Sequence, residues 1–358
     1  MIDKVRLIKL TQKLIRINSE NPPGDEEEIA WFVRDYLKQL GLKSRIYEFK
    51  KKRANILAVL KGRNKKYLLI TPHLDTVPSG NSWTIPPFKG LIKNNKIYGL
   101  GATDCKVNLA VSLEVINSVI EDKKILHYNL IFAATADEEC GSGLGLIPLL
   151  NKGILKPDEA VVLDADDFEI IITQKGLLYL KITIQGKKAH GAYPERGVFP
   201  FKKNRYLRHP TVNIGTIRGG DKVNIVADWC ELELDFRFLP GSNAQSLLKV
   251  IKKIAVAHAK KFKVEVESSQ APYSISQDHP LVCHLKKAMQ KFKIKPRIKG
   301  SEGATVITFF QHKNIPAIAT GFGCGGCAHT ADEYIKINDL YKGALVLEEF
   351  LTSYKFNQ

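Results

Sequence analysis

Two hydrophobic patterns divide the chain. Continuous apolar runs separated by helical stretches occupy residues 1–176 and 269–358, and they are typical of buried strands in a mainly parallel sheet. Residues 177–268 instead contain runs such as LYLKITIQ and CELELDFRF, which alternate apolar and polar positions and predict half-buried antiparallel strands. We therefore predict an α/β domain with a mainly parallel sheet flanked by helices, and a smaller inserted α+β domain with an antiparallel sheet of about four strands.

Helices are predicted where apolar residues recur at every third or fourth position. The N-terminal helix has four apolar residues on one face, namely Leu7, Leu10, Leu14 and Ile17. Charges between them argue against a signal peptide, and no apolar run is long enough to span a bilayer. A second helix is predicted to begin with a capping box of Asp25 and Glu28. We expect a soluble, cytoplasmic protein without a membrane partner.

Metal-capable side chains follow four of the apolar runs. The runs YLLITP, LIFAATA, AVVL and AIATGFG lead, in that order, to His73 and Asp75, to Glu138 and Glu139, to Asp164, and to His329. In open α/β sheets, ligands bind beyond the carboxyl ends of the strands. Each pair alone is weak evidence, but carboxylates next to buried strands are costly unless a cation compensates them. With Asp104, this set suits a pair of zinc-like ions, one bridging carboxylate and one carboxylate base.

Charge and cysteine content change this picture little. The net charge is +17, from 54 Lys+Arg against 37 Asp+Glu, but the basic residues are spread along the chain. We therefore do not expect nucleic acid as a partner. Of six cysteines, only Cys324 and Cys327 form a CxxC pair, and a zinc ribbon needs a second pair. A redox or structural zinc protein built on this pair is the least favoured alternative.

The order of several short motifs resembles a known family. The motifs TPHLDTVP, GLGATDCK, ADEECGSG, LDAD, GKKAHGAYP, GGDKVNIVADWCELELDFR and AHTADEY extend over nearly the whole chain. The chain resembles the di-zinc aminoacylase and carboxypeptidase family. That family includes acetylornithine deacetylase, succinyl-diaminopimelate desuccinylase and glutamate carboxypeptidase. The resemblance implies a catalytic domain and an inserted lid and dimerisation domain.

The resemblance also implies a role for each metal ligand. His73 and Asp164 would bind one ion, and Glu139 and His329 would bind the other. Asp104 would bridge both ions. The expected cofactors are two Zn²⁺ ions, with Co²⁺ or Mn²⁺ as alternatives.

Further roles carry over to residues beside the ligands. Glu138 would take a proton from the attacking water and pass it to the leaving amine. Asp75 would orient His73 from behind. The peptide bond between Asp104 and Cys105 is expected to be cis.

In the inserted domain, three residues match family positions that contact substrate. His190 would polarise the scissile carbonyl, and in dimeric members it comes from the other subunit. Asn224 and Arg237 would hold the free carboxylate of the substrate. Arg237 lies on the polar face of its strand, and arginine suits bidentate carboxylate binding.

The chain departs from the family pattern at three places. Val107 and Asn108 follow the lysine of the bridging motif, where glycine is usual. Only twelve residues separate Gly197 from Pro210, where a long helix that contributes to the dimer is usual. Val306 stands where many relatives have an aspartate. The short segment leaves homodimerisation open, and Val306 leaves the substrate unassigned.

These observations predict a di-zinc amide hydrolase similar to acetylornithine deacetylase or succinyl-diaminopimelate desuccinylase. Its small-molecule substrate would be an N-acyl amino acid or a short peptide with a free carboxylate. The alternative is a catalytically weakened relative that binds metal or peptide with little turnover. The shortened insert favours that alternative, and the complete metal-ligand set argues against it.

Overall fold

The helices and strands are described for residues 1–185, 210–220, 229–259, 261–303 and 305–356 in a computed structural model. His190, Asn224 and the segment between Gly197 and Pro210 lie outside these residues. The helices of the described residues are α1 (Lys4–Arg16), α2 (Glu27–Gln39), α3 (Lys106–Glu121), α4 (Leu146–Asn151), α5 (Ala244–His258), α6 (Pro280–Lys291), α7 (Ile307–Gln311) and α8 (Ile337–Ser353).

The strands of the described residues are short, as is usual in globular proteins. They are β1 (Ser44–Glu48), β2 (Ala54–Leu60), β3 (Tyr67–Thr71), β4 (Leu91–Lys93), β5 (Lys96–Tyr98), β6 (Asn129–Ala134), β7 (Glu159–Leu163), β8 (Glu169–Gln174), β9 (Gly176–Gln185), β10 (Thr211–Gly219), β11 (Trp229–Phe238), β12 (Lys261–Gln270), β13 (Tyr273–Ser274), β14 (Arg297–Ser301), β15 (Ala317–Thr320) and β16 (Tyr334–Lys336).

The chain divides into two units. The first unit comprises Met1–Ile172, Ile275–Ile298 and Phe309–Gln358, and the second comprises Thr173–Ser274 and Lys299–Thr308. No helix of the described residues combines the length and apolar composition needed to cross a membrane.

A mixed sheet forms the centre of the first unit. Its strand order is β1-β2-β6-β3-β7-β15-β8, and the central pairs β6–β3, β3–β7 and β7–β15 are parallel. The outer pairs β1–β2, β2–β6 and β15–β8 are antiparallel. Strand β6 is buried at every position, because strands in the middle of such a sheet are covered on both faces. The predicted α/β fold with a mainly parallel central sheet is therefore confirmed.

Helix α3 is the most buried helix of the first unit. Every residue from Lys106 to Val119 is buried, and the helix packs against α1 and α8. Its polar residues find partners inside the protein, as when Glu114 pairs with Arg6 and the hydroxyl of Ser112 donates to the carbonyl oxygen of Asn108. Its first residue follows Cys105, so the packing of α3 also fixes the end of the loop that carries Asp104. The Asp104–Cys105 peptide bond is cis, as predicted.

The second unit contains an antiparallel sheet of four strands in the order β10-β11-β9-β12. Helix α5 covers the apolar face of this sheet, where Ile251 packs with Leu178, Leu180 and Phe238. The alternating pattern thus correctly predicted the antiparallel sheet. The side chain of Asn243 accepts a hydrogen bond from the N–H of Ser246 and caps α5.

The capping box predicted for α2 is wrong. The N-cap residue is Glu26, whose side chain makes no capping hydrogen bond. Asp25 instead pairs with the ammonium group of Lys52 at 2.5 Å, and the Glu26 carboxylate pairs with Arg53. These ion pairs join residues distant in sequence, so they compete with the local cap without leaving a local signal.

Candidate metal centre

Seven of the predicted site residues lie in the first unit, after strands or in loops at the carboxyl edge of its sheet. His73 and Asp75 follow β3, Glu138 and Glu139 follow β6, Asp164 follows β7, His329 follows β15, and Asp104 precedes α3. The parallel pairing of β6, β3, β7 and β15 brings these strand ends to one edge. The sheet topology therefore brings the predicted metal-capable residues together.

Asp104 lies between two histidines. Its Oδ1 is 2.9 Å from Nε2 of His73, and its Oδ2 is 3.2 Å from Nε2 of His329. Each carboxylate oxygen thus faces a different imidazole. A carboxylate in this position can bind two cations at once, each of which is also bound by one of the histidines.

Two further groups complete the cluster on either side of Asp104. Ligand atoms of His73, Glu138 and Asp164 all lie within 4.8 Å of one another, and so do those of Asp104, Glu139 and His329. Nε2 of His329 is 3.4 Å from Oε2 of Glu139, and Nε2 of His73 is 3.8 Å from Oδ1 of Asp164. The cluster therefore has two lobes that meet at Asp104.

Cys105, which was not predicted as a metal ligand, also lies close to the cluster. It forms a compact group with His73 and Asp104. Its thiol donates a hydrogen bond to the carbonyl oxygen of Leu163 at 2.9 Å, and burial raises the pKa of the thiol to about 11. The thiol is engaged in this hydrogen bond, so we assign Cys105 to packing.

The carboxylate of Asp75 contacts more than His73. Its Oδ1 and Oδ2 accept hydrogen bonds at 3.1 Å from the backbone N–H groups of Glu138 and Glu139, respectively. Nδ1 of His73 is 2.9 Å from the backbone oxygen of Asp75 and 3.5 Å from Oδ1. Asp75 therefore orients the imidazole chiefly through its backbone, while its carboxylate fixes the loop that carries both glutamates.

Burial and mutual repulsion change the acidity of this cluster. Burial raises the pKa of Glu138 well above its usual range, and the negative charge of Asp164 raises it further. Burial and the neighbouring charge of Asp104 raise the pKa of Asp164 to about 7. Asp104 is also buried, but hydrogen bonds from His329 and His73 hold its pKa below the usual range. Buried like charges have these effects when no cation offsets them.

The residues present fit a pair of divalent cations. Oε1 of Glu139 is buried and has no hydrogen-bond partner among the described residues. Buried polar atoms are normally satisfied, and an ion would satisfy this one. Two imidazoles with several carboxylates are ligands for zinc, cobalt or manganese.

Asn21 and Glu333 also support the cluster. Asn21 was not predicted from the sequence, and Glu333 was given no role. Nδ2 of Asn21 donates to Oδ2 of Asp75 at 2.9 Å and to Oδ1 of Asp137 at 3.3 Å. The carboxylate of Glu333 accepts hydrogen bonds from the backbone N–H groups of Gly101, Thr103 and Asp104. Glu333 lies in the motif AHTADEY, and that position is the signal that could have found it. Asn21 has no comparable signal, because its partners are more than fifty residues away in sequence.

Arg237 lies in the second unit, on the polar face of β11 as predicted. Its Nε is 3.0 Å from Oδ1 of Asp235, and its Nη2 donates to the hydroxyl of Tyr179 at 3.3 Å. About a fifth of its side chain is exposed (22%). The guanidinium is therefore held in place and still accessible.

Comparison with solved structures finds the same fold in a metallo-carboxypeptidase. An M20 family metallo-carboxypeptidase from Sulfolobus solfataricus aligns with a TM-score of 0.79 at 22% identity, covering 98% of this chain and 99% of that one. The likeness at this identity concerns the fold.

Comparison of sequences is more specific. The family model for peptidase family M20/M25/M40 matches residues 69–353, and the chain belongs to this family. A metallohydrolase of Methanocaldococcus jannaschii is 29% identical over 410 residues, covering 96% of this chain and 98% of that protein. An acetylornithine deacetylase of Proteus mirabilis is 29% identical over 339 residues, covering 86% and 85%. The resemblance inferred from the motifs is confirmed at the level of the family.

Proposed function

We propose that the protein hydrolyses the amide bond of an N-acyl amino acid or short peptide with a free carboxylate, using two divalent metal ions. The placement of Asp104 between His73 and His329 supports this most directly, because each oxygen of the carboxylate faces a different imidazole. Acetylornithine deacetylase among the relatives supports an N-acyl amino acid as the substrate class. The ions would be Zn²⁺, with Co²⁺ or Mn²⁺ as alternatives.

Each predicted ligand is assigned to one or both of the two ions. His73 and Asp164 would hold one ion, Glu139 and His329 the other, and Asp104 both. The bound ions would supply Lewis acidity, polarising the scissile carbonyl and acidifying the attacking water. Asp75 keeps Glu138 and Glu139 in place through their backbone N–H groups.

Glu138 is the proposed general base. Its carboxylate lies within 4.8 Å of the ligand atoms of His73 and Asp164, so it is beside the ion that these two residues would hold. It accepts a proton from the attacking water and then donates it to the leaving amine. Its neighbour Glu139 faces His329, so the two consecutive glutamates have different roles.

Substrate contacts come from the inserted domain, which we place at residues 177–268 between the two catalytic segments 1–176 and 269–358. Arg237 would bind the free carboxylate, since its guanidinium is accessible and pre-positioned by Asp235 and Tyr179. Asn224 would assist it, and His190 would polarise the scissile carbonyl. The need for a homodimer, a cytoplasmic location and the absence of a nucleic-acid partner remain predictions.

No described residue favours the weakened relative over an active hydrolase. Each predicted metal ligand is present in the cluster, and the base is beside it. The structural zinc alternative is also unsupported. Among the described residues, Cys324 and Cys327 join no group of three metal-capable side chains.

Metal analysis combined with hydrolysis of a panel of N-acyl amino acids and short peptides tests the proposal. We expect close to two divalent ions per chain, as a two-metal site requires. The variant Glu138→Gln should keep both ions and lose at least about 100-fold in kcat, the usual contribution of a general base. Asp158→Asn is the matched control and should keep full turnover, because Asp158 precedes β7 whereas the predicted ligand Asp164 follows it. Unchanged turnover in Glu138→Gln would exclude the mechanism.

A further inference from the structure

Cys324 and Cys327 stand at the two ends of a tight turn. The N–H of Cys327 donates to the carbonyl oxygen of Cys324 at 3.0 Å, and Gly326 adopts φ +78° inside the turn. This is the hydrogen bond of a β-turn, whose end Cα atoms lie within about 7 Å. Disulfides join Cα atoms about 4.4–6.8 Å apart. The backbone therefore holds the two cysteines at a spacing that a disulfide can bridge.

The two thiols are free and close together. The hydrogen bond that closes the turn keeps Cys324 and Cys327 together, and neither thiol is engaged in a disulfide. Both cysteines are partly exposed, so a small oxidant can reach them. No rearrangement of a distant segment is needed to bring one sulfur to the other.

The turn is tied to the metal centre at both ends. The N–H of Cys324 donates to Oγ1 of Thr103 at 3.2 Å, and Thr103 precedes Asp104. The hydroxyl of Thr330 donates to the carbonyl oxygen of Cys327 at 2.7 Å, and His329 lies between these two residues. His329 itself has φ +60°, a backbone conformation with little freedom for a residue other than glycine. A change in the turn therefore reaches the imidazole of His329.

We propose that Cys324 and Cys327 are a modification site that forms a reversible disulfide with a low-molecular-weight disulfide as oxidant, and that the bond weakens metal binding at His329. The second half of this proposal rests on the proposed function. The bond restrains the turn, and the hydrogen bonds of the turn with Thr103 and Thr330 pass this restraint to the neighbouring residues Asp104 and His329.

The chemistry balances as two thiol–disulfide exchanges. One cysteine sulfur attacks a sulfur of the small disulfide, forms a mixed disulfide with it and releases one small thiol. The other cysteine sulfur attacks the mixed disulfide and releases the second small thiol. The protein loses two hydrogens, and the oxidant is reduced to two thiols. A dithiol reductant reverses both steps.

Intact mass and thiol counting after treatment with oxidised glutathione test the disulfide alone. We expect the full-length protein to lose the mass of two hydrogens and two titratable thiols, and dithiothreitol to restore both. Cys324→Ser and Cys327→Ser should each abolish this change. Cys140→Ser removes an exposed thiol beside Glu139 and is the matched control, which should behave as the wild type. Retention of both thiols, or a lasting glutathione adduct on Cys324 or Cys327, would overturn the disulfide.

Metal affinity of the reduced and oxidised forms tests the coupling. Competition with a chelator should show Co²⁺ or Zn²⁺ binding at least about tenfold weaker in the oxidised form, the size of effect expected when groups that position ligands are disturbed. Equal affinity in the two forms would overturn the coupling. If the reduced protein bound no divalent ion, both the proposed function and the coupling would be wrong. The mass measurement would still test the disulfide on its own.

Discussion

The guanidinium of Arg53 donates from Nη2 to Oδ1 of Asp137 at 2.7 Å, and both residues are buried. The same guanidinium donates to both carboxylate oxygens of Glu26, at 2.7 and 2.8 Å. Asp137 has φ +66° and directly precedes Glu138. Arg53 therefore compensates two buried carboxylates and fixes the residue that leads into the proposed base.

Replacement of Arg53 by methionine should destabilise the protein strongly. It leaves Glu26 and Asp137 buried without a cation, and removing one partner of a buried ion pair costs about 3–5 kcal/mol of unfolding free energy. Urea unfolding measures this change. Arg34→Met, which removes a partly exposed arginine paired with Asp35, is the control and should cost less than about 1 kcal/mol. Similar losses in the two variants would contradict the role assigned to the buried group.

Asn21→Ala should reduce turnover without removing metal. The amide of Asn21 joins Asp75 to Asp137, and both carboxylates hold the loop of the proposed base. Since Asn21 touches neither metal ligand nor reacting atoms, we expect kcat to fall about tenfold with KM little changed, as for other groups that position metal-site residues. Asn18→Ala, at an exposed asparagine of the same segment, should have no effect. An unchanged kcat for Asn21→Ala would show that the bridge is dispensable.

The sequence predicted the features that follow from local pattern. Runs such as LIFAA and AVVL are apolar at every position, which is typical of strands covered on both faces. Because parallel strands end at one edge, we expected the polar residues that follow them to meet there, and His73, Glu138 and Asp164 do. The alternation in CELELDFRF likewise predicted β11 and the accessible face that carries Arg237.

The supporting network could not be predicted, because it depends on contacts between distant parts of the chain. Arg53 and Asp137 are 84 positions apart, and nothing local distinguishes Arg53 from the exposed lysines around it. The capping box predicted for α2 failed for the same reason. The side chains of Asp25 and Glu26 pair with Lys52 and Arg53 and therefore do not cap the helix. Burial of a charged residue is decided by its partner, and the partner is visible only in the fold.

The stability of the protein should depend on the protonation of His279. Nδ1 of this residue accepts a hydrogen bond from the N–H of Leu281 at 3.3 Å and so caps α6. Burial lowers the pKa of His279 below its usual value, so the unfolded chain takes up a proton at higher pH than the folded protein does. The stabilisation is present above the ordinary pKa of about 6.5 and is lost as pH falls below it.

The variant His279→Asn separates this effect from other titrations, because asparagine caps a helix without titrating. Between about pH 7.5 and about pH 5.5, the wild type should lose more unfolding free energy than this variant does. His312→Asn, at an exposed histidine, should follow the wild type. Parallel pH profiles for the wild type and His279→Asn would contradict the assigned role of His279.

Removal of divalent ions should destabilise the first unit, because buried carboxylates of the cluster then repel one another. We expect a chelator to lower the midpoint of thermal unfolding, and Zn²⁺, Co²⁺ or Mn²⁺ at about 1,000 times Kd to restore about 4 kcal/mol of unfolding free energy. Asp104→Asn removes the charge that faces both histidines, so most of this metal-dependent stabilisation should disappear. Asp158→Asn, at the other end of β7 from Asp164, should keep it. Calorimetry with and without metal measures all three proteins, and a full metal response in Asp104→Asn would contradict a bridging role for this carboxylate.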